Sequence, residues 1–283
     1  MATNKKLRTV LITGCSAGGI GSALVTTFHH RGLHVFATAR SLEKLSHLSH
    51  LPNLTPLVLE VTSTTSIAAA VEAVRSKTGG SLDYLVNNAG INYCMPALDS
   101  DLDVAKAMFD TNFWAPIKMV QAFQDMLVRS KGTVVMNSSI SGVVHAPWLS
   151  IYNASKAALT QFSETLRLEL APLGVNVVTV MTGAVATNIM SNIPPLHLPA
   201  GSPYADLEPH IRARSEGTEK VQRMSPEAYA EKVADDVLNG RQGLTWRGSM
   251  AGMTRYVVAH VPASWTDGQL INTAGMGHWT GGK

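Results

Sequence analysis

A short apolar run, Arg8-Thr9-Val10-Leu11-Ile12, leads directly into Thr13-Gly14-Cys15-Ser16-Ala17-Gly18-Gly19-Ile20-Gly21. Beyond that turn, Ala23, Leu24, Val25 and Phe28 recur at helical spacing up to Gly32, and a second apolar run follows over residues 33–39. Strand, glycine-rich turn, helix and strand together make a β-α-β unit, which commits the chain to parallel pairing. Glycines in such a turn let backbone N–H groups approach a pyrophosphate, and the helix N-terminus adds its partial positive charge. The candidate contacts in this turn are Gly14, Ser16, Gly19 and Ile20.

The same alternation continues down the chain. Strands are expected over residues 54–60, 82–86, 133–136 and 175–181, with helices over 66–77, 101–129 (in two stretches) and about 151–170. Pro172 and Gly174 end the last of these helices, and Ser225-Pro226-Glu227 starts another. This order predicts an α/β fold of Rossmann type, a doubly wound parallel sheet with helices on both faces, in a single domain spanning 1–283. Ligands in such a sheet bind at the carboxyl ends of the strands, where the informative residues fall.

Arg40 stands at the end of the second strand, where a carboxylate would hold the ribose 2′-hydroxyl of NAD. Arg40 with Ser41 suits a 2′-phosphate instead; the alternative is a solvated arginine at a strand end. Further on, Tyr152 and Lys156 lie four apart, one turn on a helix face. An ammonium beside a phenol favours its ionised form, making Tyr152 a candidate acid/base. Spacing alone does not separate this pair from chance. Ser138, Ser139 and Ser141 follow the strand over 133–136, and on sequence grounds any of them serves equally as a turn or cap residue.

Taken in order, the Thr13 to Gly21 turn, Asn87-Asn88-Ala89-Gly90, Asn112, Ser139, and Tyr152 with Lys156 resemble the short-chain dehydrogenase/reductase family over roughly residues 8–190. Ser139 sits thirteen residues before Tyr152, the family's usual interval, which selects it from the three serines. The resemblance implies a catalytic tetrad of Ser139, Tyr152, Lys156 and Asn112. Ser139 would polarise the substrate carbonyl, Tyr152 would supply a proton, Lys156 would hold the nicotinamide ribose, and Asn112 would hold a water. It also implies NADPH/NADP+ as cofactor, with further contacts from Arg40, Ser41, Glu60, Val61, Asn88, Ala89, Gly90, Val185 and Thr187, and from Tyr152 and Lys156 themselves.

Three departures stand out. Four residues separate Gly14 from Gly19 where the family has three; Glu60 replaces an aspartate; Thr182 replaces a proline before Gly183. The Gly18-Gly19-Ile20-Gly21 turn and the Trp246-Arg247-Gly248 tail are similar to the fungal acyl-dihydroxyacetone-phosphate reductase branch.

Residues 188–224, broken by Pro194, Pro195, Pro199 and Pro203, read as a substrate loop or lid, and 241–283 as a C-terminal extension. Tyr93, His145 and Trp148 are candidate pocket residues. The function expected is NADPH-dependent reduction of a lipid- or polyketide-derived ketone to a secondary alcohol. An alcohol dehydrogenase running oxidatively and a non-catalytic NADP(H)-binding regulator are the alternatives. With 15% charged residues and a net charge of +3, scattered basic residues give nucleic-acid binding no support. Cys15 and Cys94 suit neither a disulfide framework nor a metal site. Met1 to Lys6 read as a polar lead-in, and no run approaches the ~20 apolar residues of a membrane span. A cytoplasmic location is expected, and the resemblance implies a homodimer or homotetramer; the apolar tail residues Met250, Met253, Val257, Val258 and Val261 suit cover for the active site or a subunit interface, with a peripheral lipid-droplet or endoplasmic-reticulum surface as the alternative.

Overall fold

The computed structural model describes residues 7–190 and 195–281, so the polar lead-in at 1–6, Pro194 within the expected lid, and the last two residues lie outside it. Among the described residues, β1 (Thr9–Ile12), β2 (His34–Ala39), β3 (Leu54–Val58), β4 (Tyr84–Asn87), β5 (Thr133–Asn137), β6 (Asn176–Thr182) and β7 (Gly243–Arg247) form one sheet in the order β3-β2-β1-β4-β5-β6-β7. Every pairing is parallel. The chain order reverses between β1 and β4, which opens a crevice at their carboxyl ends.

Period-two alternation sends neighbouring side chains to opposite faces. Val10 and Ile12 of β1, with Val35 and Ala37 of β2, pack under α1 (Ile20–His30) and α7 (Pro226–Leu238). Leu11 and Phe36 point the other way, towards α2 (Thr64–Thr78), α4 (Ala115–Ser130) and α5 (Ser150–Leu170). Burial on both faces explains why these strands read as continuous apolar runs. Pro56 is tolerated because β3 is an edge strand.

Local signals fix the helix ends. Ser63 accepts from the Ser66 N–H at the start of α2, and Ser225 accepts from Ala228 ahead of Pro226 at the start of α7. After α5, Pro172 lies in a short 3-10 turn that closes on Gly174 at φ +76°. α3 (Leu102–Phe109) runs into α4 through a π-helical turn, Asp110–Trp114. The lid carries α6 (Glu208–Glu216), and the tail carries α8 (Ala251–His260) and α9 (Ala263–Thr273).

The tail also supplies β7, an edge strand that was not expected from the sequence. Its anchor is Asp236 on α7, 6% exposed. Arg247 grips this carboxylate with Nε to Oδ2 at 2.8 Å and a terminal nitrogen to Oδ1 at 2.6 Å; Arg241 and Thr245 also donate to it. Burial alone would raise the carboxyl pKa, but the bonds from Arg247, Thr245 and Arg241 outweigh it and hold the pKa below its usual value. Asp236→Asn should therefore cost about 2–3 kcal/mol at pH 7, less than a fully buried pair because the arginines are partly solvated. Because the folded carboxyl pKa is depressed, its stabilisation is present above the unfolded value near 3.8 and is lost as pH falls through the lower folded value. Urea midpoints for wild type and variant should thus converge in acid; a constant gap down to pH 2 would contradict this account.

Candidate active site

The carboxyl end of β1 turns through Gly14 at φ +72°, a conformation that favours glycine. A Cβ on Gly21 would lie 2.2 Å from the Gly14 carbonyl oxygen, so the first turn of α1 is pressed against the glycine turn. Gly19 is the N-cap residue and α1 receives no side-chain cap there, leaving first-turn N–H donors for an anionic ligand. The extra glycine of the lengthened turn, Gly18, adopts φ +71° and abuts Asn188, whose side-chain amide donates to the Ala17 carbonyl. Cys15 is fully buried, and burial pushes its thiol up to about 12, so it is not a nucleophile at neutral pH.

Arg40 is exposed at the end of β2. Ser41 caps the following 3-10 turn by position, with no side-chain cap bond. A guanidinium and a hydroxyl side by side have the chemistry to meet an anionic oxygen group. Glu60 accepts from the backbone N–H and hydroxyl of Thr62, and Val61 is buried in the core. Val185 bridges to Met224 of the lid, and Thr187 follows it, half-buried.

At the crevice between β4 and β1, the Thr13 hydroxyl accepts from the N–H groups of Asn88 and Ala89, while the Asn88 amide donates to the carbonyls of Thr13 and Gly14. Asn88 Oδ1 accepts from Asn137, whose own Oδ1 receives the Thr182 hydroxyl at 2.5 Å and the Tyr229 hydroxyl at 3.2 Å. The Asn137 carbonyl accepts from Lys156 Nζ at 2.9 Å. One chain of amides therefore ties the glycine turn to the lysine. Asn137 and Tyr229 were not singled out from sequence. Thr182 was visible only as a departure from proline, and its use as a hydroxyl follows from the tertiary fold.

Tyr152 and Lys156 both project from α5. Lys156 Nζ lies 5.9 Å from the Tyr152 ring centroid, and the Ser139 side chain is near enough to the Tyr152 hydroxyl to act on its pKa. Ser138 is consumed by the Lys156 carbonyl and the Thr160 hydroxyl, so Ser139 alone of that adjacent pair meets the phenol. Asn112 sits in the π-helical turn, a device frequent at functional sites. Its Oδ1 accepts from the Ile91 N–H and its Nδ2 donates to the Ile91 carbonyl and to Ser155. Gly90 lies between them: a Cβ there would be 3.2 Å from Asn112 Oδ1 and 3.7 Å from Lys156 Nζ.

One electrostatic expectation is corrected. The ammonium was expected to draw the phenol towards ionisation. Instead burial raises the Tyr152 pKa, with the Ser139 hydrogen bond only partly opposing it, and burial lowers that of Lys156 to about 8. At neutral pH Tyr152 holds its proton while Lys156 remains mostly charged.

The three residues expected to line a pocket are placed differently. Trp148 lies in the apolar cluster against which Tyr152 packs. Tyr93 does not; it is buried with its hydroxyl accepting from the Asp101 N–H at the start of α3, and Cys94 takes the place beside Trp148. His145 is exposed and faces Asp267 of α9 at 3.4 Å. Leu207 and Ile211 of the lid, and Ala274 and Trp279 of the tail, complete the cluster. Among the described residues no group of acidic, histidine or cysteine side chains could hold a metal, and no helix is long and apolar enough to cross a membrane.

The family model for short chain dehydrogenase matches residues 8–196. The short-chain dehydrogenase ptmH of Penicillium ochrochloron is 50% identical over 269 residues, covering 95% of this chain and 98% of that protein. An NADPH-dependent 1-acyldihydroxyacetone phosphate reductase of Schizosaccharomyces pombe is 44% identical over 182 residues, 64% of this chain and 61% of that protein. Among solved structures, a short chain dehydrogenase of Burkholderia cenocepacia in complex with NADP is 25% identical with a TM-score of 0.72, covering 94% of this chain and 97% of that one. With its fold, its glycine turn and the Ser139, Tyr152 and Lys156 cluster, this chain belongs to the short-chain dehydrogenase family, as an oxidoreductase acting on CH–OH or C=O groups.

Proposed function

We propose that the protein is an NADPH-dependent ketoreductase that converts a ketone to a secondary alcohol. The observation that carries this reading is the buried Tyr152 phenol, near Ser139 and Lys156 and kept protonated by its burial. The bound coenzyme supplies the hydride. Ser139 donates to the carbonyl oxygen and stabilises the charge that develops there. Tyr152 gives its proton to the same oxygen. Lys156, held by the Asn137 carbonyl, keeps a cation beside the ring and orients the nicotinamide ribose; Asn112 holds the Ile91 segment in place next to it.

Oxidation of an alcohol would use the same groups with Tyr152 ionised, and burial works against that form at neutral pH. A regulator without turnover has no use for a phenol and an ammonium buried together at a cost in desolvation.

For the coenzyme, the proposal assigns the phosphates to the turn of Gly14, Ser16, Gly19 and Ile20 and the 2′-phosphate to Arg40 and Ser41. Glu60 and Val61 flank the adenine, Asn88, Ala89 and Gly90 the ribose side, and Val185 and Thr187 the carboxamide. Arg40→Asp should shift the NADPH-to-NADH ratio of dissociation constants by about 10- to 100-fold, the worth of charge-assisted hydrogen bonds. Fluorescence titration of both coenzymes reads this directly; an unchanged ratio removes Arg40 from the site. The reading extends to a cytoplasmic homodimer or homotetramer and to peripheral lipid contact. Exposed Trp114, Leu168 and Leu173 support the former, and Met253, Tyr256 and Trp265 on the tail the latter.

The ketoreductase reading itself is tested by NADPH absorbance across a panel of ketones, beginning with acyl-dihydroxyacetone phosphate and aromatic polyketide-type ketones. No oxidation of NADPH with any of them would count decisively against it.

A further inference from the structure

Two hydroxyls close the far end of the amide chain that runs from the glycine turn. Tyr229 lies in the first turn of α7, 1% exposed, and Thr182 is the last residue of β6. Their oxygens are 2.6 Å apart, and both reach Asn137 Oδ1 at the end of β5. A phenylalanine at 229 and a valine at 182 would fill the same space with no oxygen to satisfy.

Hydrogen-bond direction along the chain is forced from its other end. The Thr13 and Gly14 carbonyls only accept, so Asn88 must turn Nδ2 towards them, at 2.9 and 3.2 Å. Its Oδ1 is left for Asn137, which must donate Nδ2 at 2.8 Å and therefore turns its own Oδ1 the opposite way. Among the described residues, the donors that meet that Oδ1 are the hydroxyls of Thr182 and Tyr229. Burial pushes the Tyr229 phenol far above its usual pKa, so it keeps its proton. The ends of β6, β5, β4 and β1 are thus joined by one line of bonds, in which each amide points its donor towards the glycine turn. The line ends on a strained element: Gly14 holds φ +72°, and a Cβ on Gly21 would come within 2.7 Å of Asn88 Nδ2, so the first turn of α1 rests on the same amide. By occupying two successive carbonyls, Asn88 fixes the peptide planes of the turn.

We propose that Thr182 and Tyr229 are positioning residues for coenzyme binding: their hydroxyls jointly anchor Asn137, Asn137 anchors Asn88, and Asn88 holds the glycine turn in the form that receives the phosphates. This rests on the coenzyme assignment for the ligand and adds two residues on β6 and α7 to what holds it. Either hydroxyl can donate to Asn137 Oδ1, so each backs up the other, and the loss of both releases the line.

Thr182→Val and Tyr229→Phe are made singly and together in the full-length protein. NADPH dissociation constants are read by fluorescence titration, and backbone amide exchange of the coenzyme-free protein by mass spectrometry. Each single variant should weaken NADPH by about threefold, and the double by about 10-fold beyond the product of the two, the order of departure from additivity seen for coupled neighbours. Exchange over residues 13–21 should quicken in the double variant while residues 54–78, which hold β3 and α2, keep the wild-type rate. Thr182→Ser combined with Tyr229→Phe restores one hydroxyl and should return both readouts to those of Tyr229→Phe alone, which a packing defect would not allow. Should the double variant fail to fold, Asn137→Ala breaks the same line, leaves the two hydroxyls bonded to each other, and should weaken NADPH by about 10-fold. Additive single effects, a serine that does not rescue, exchange that quickens across the whole protein, or unaltered binding in Asn137→Ala overturns the proposal. Quickened exchange confined to the turn, with NADPH bound by neither wild type nor variants, counts against the coenzyme assignment and leaves the hold of the two hydroxyls on the turn standing.

Discussion

Tyr152→Phe should lower turnover of every ketone substrate by about 10³-fold, within the range lost when a general acid is removed, while NADPH binding changes by no more than a few-fold. The two readouts separate because the substitution deletes one hydroxyl and keeps the ring. That ring packs against the apolar cluster of Trp148, Leu149 and Leu207, so phenylalanine meets the same walls. Ser139 still accepts from the Ser141 N–H, so the turn that carries it keeps its anchor. The proposed coenzyme grips, by contrast, are the glycine turn and the end of β2, on different strands. Stopped NADPH oxidation alongside a coenzyme titration decides the matter. Full activity in the variant would remove Tyr152 from the chemistry; lost coenzyme binding would make its role structural. The raised phenol pKa adds a direction to the same experiment in wild type. Reduction needs the protonated phenol and should hold up at neutral pH, whereas oxidation of the product alcohol should climb as pH rises.

Much of this site was legible before folding, for a definite reason. Residues that act through backbone proximity or helix spacing leave local traces. The glycine turn after β1, the four-residue step from Tyr152 to Lys156, and Ser225 before Pro226 are all of this kind. What escaped is long-range. Asn137 meets Thr182 and Tyr229 at separations of 45 and 92 residues, so no window of sequence contains the contact. β7 is short and mixes apolar with polar residues, and its place in the sheet is secured by Arg247 reaching back to Asp236 on α7. Asn112 owes its direction to a π-helical turn that carries no residue signature. The surroundings of Tyr93 and His145 were not legible either, because position in a loop does not say which way a side chain turns: one hydroxyl accepts from the start of α3, and one imidazole faces solvent and Asp267. Tyr152 and Lys156 both project from α5, but spacing carries no information on burial, and burial raises the Tyr152 pKa where the pairing alone led to the opposite expectation.

Lys156→Met should produce a protein that is more stable and nearly inactive. Lys156 is 6% exposed, and burial lowers its pKa from 10.5 to about 8. At pH 7 the folded protein therefore carries a charge that the interior disfavours, at a cost of about 3 kcal/mol from the linkage between pKa and stability. Methionine follows the same path with an apolar end and has high helix propensity on α5. It forfeits the bond to the Asn137 carbonyl, worth about 1 kcal/mol, so a net gain of about 1–3 kcal/mol remains. The sign of the pH dependence identifies the cause. Below pH 8 both folded and unfolded wild type bind the proton and the penalty is complete; between about 8 and 10.5 only the unfolded chain binds it, so wild-type stability rises with pH. The gap between variant and wild type should accordingly close across that window in urea titrations. Turnover should fall by about 10²-fold or more, because the cation that orients the ribose beside Tyr152 is gone. A methionine variant that unfolds more easily at pH 7 would show that Lys156 is held for stability, and its depressed pKa would then need another cause. A variant both more stable and inactive places the desolvated lysine where enzymes commonly keep such a group, at a site where activity is maintained against the preference of the fold.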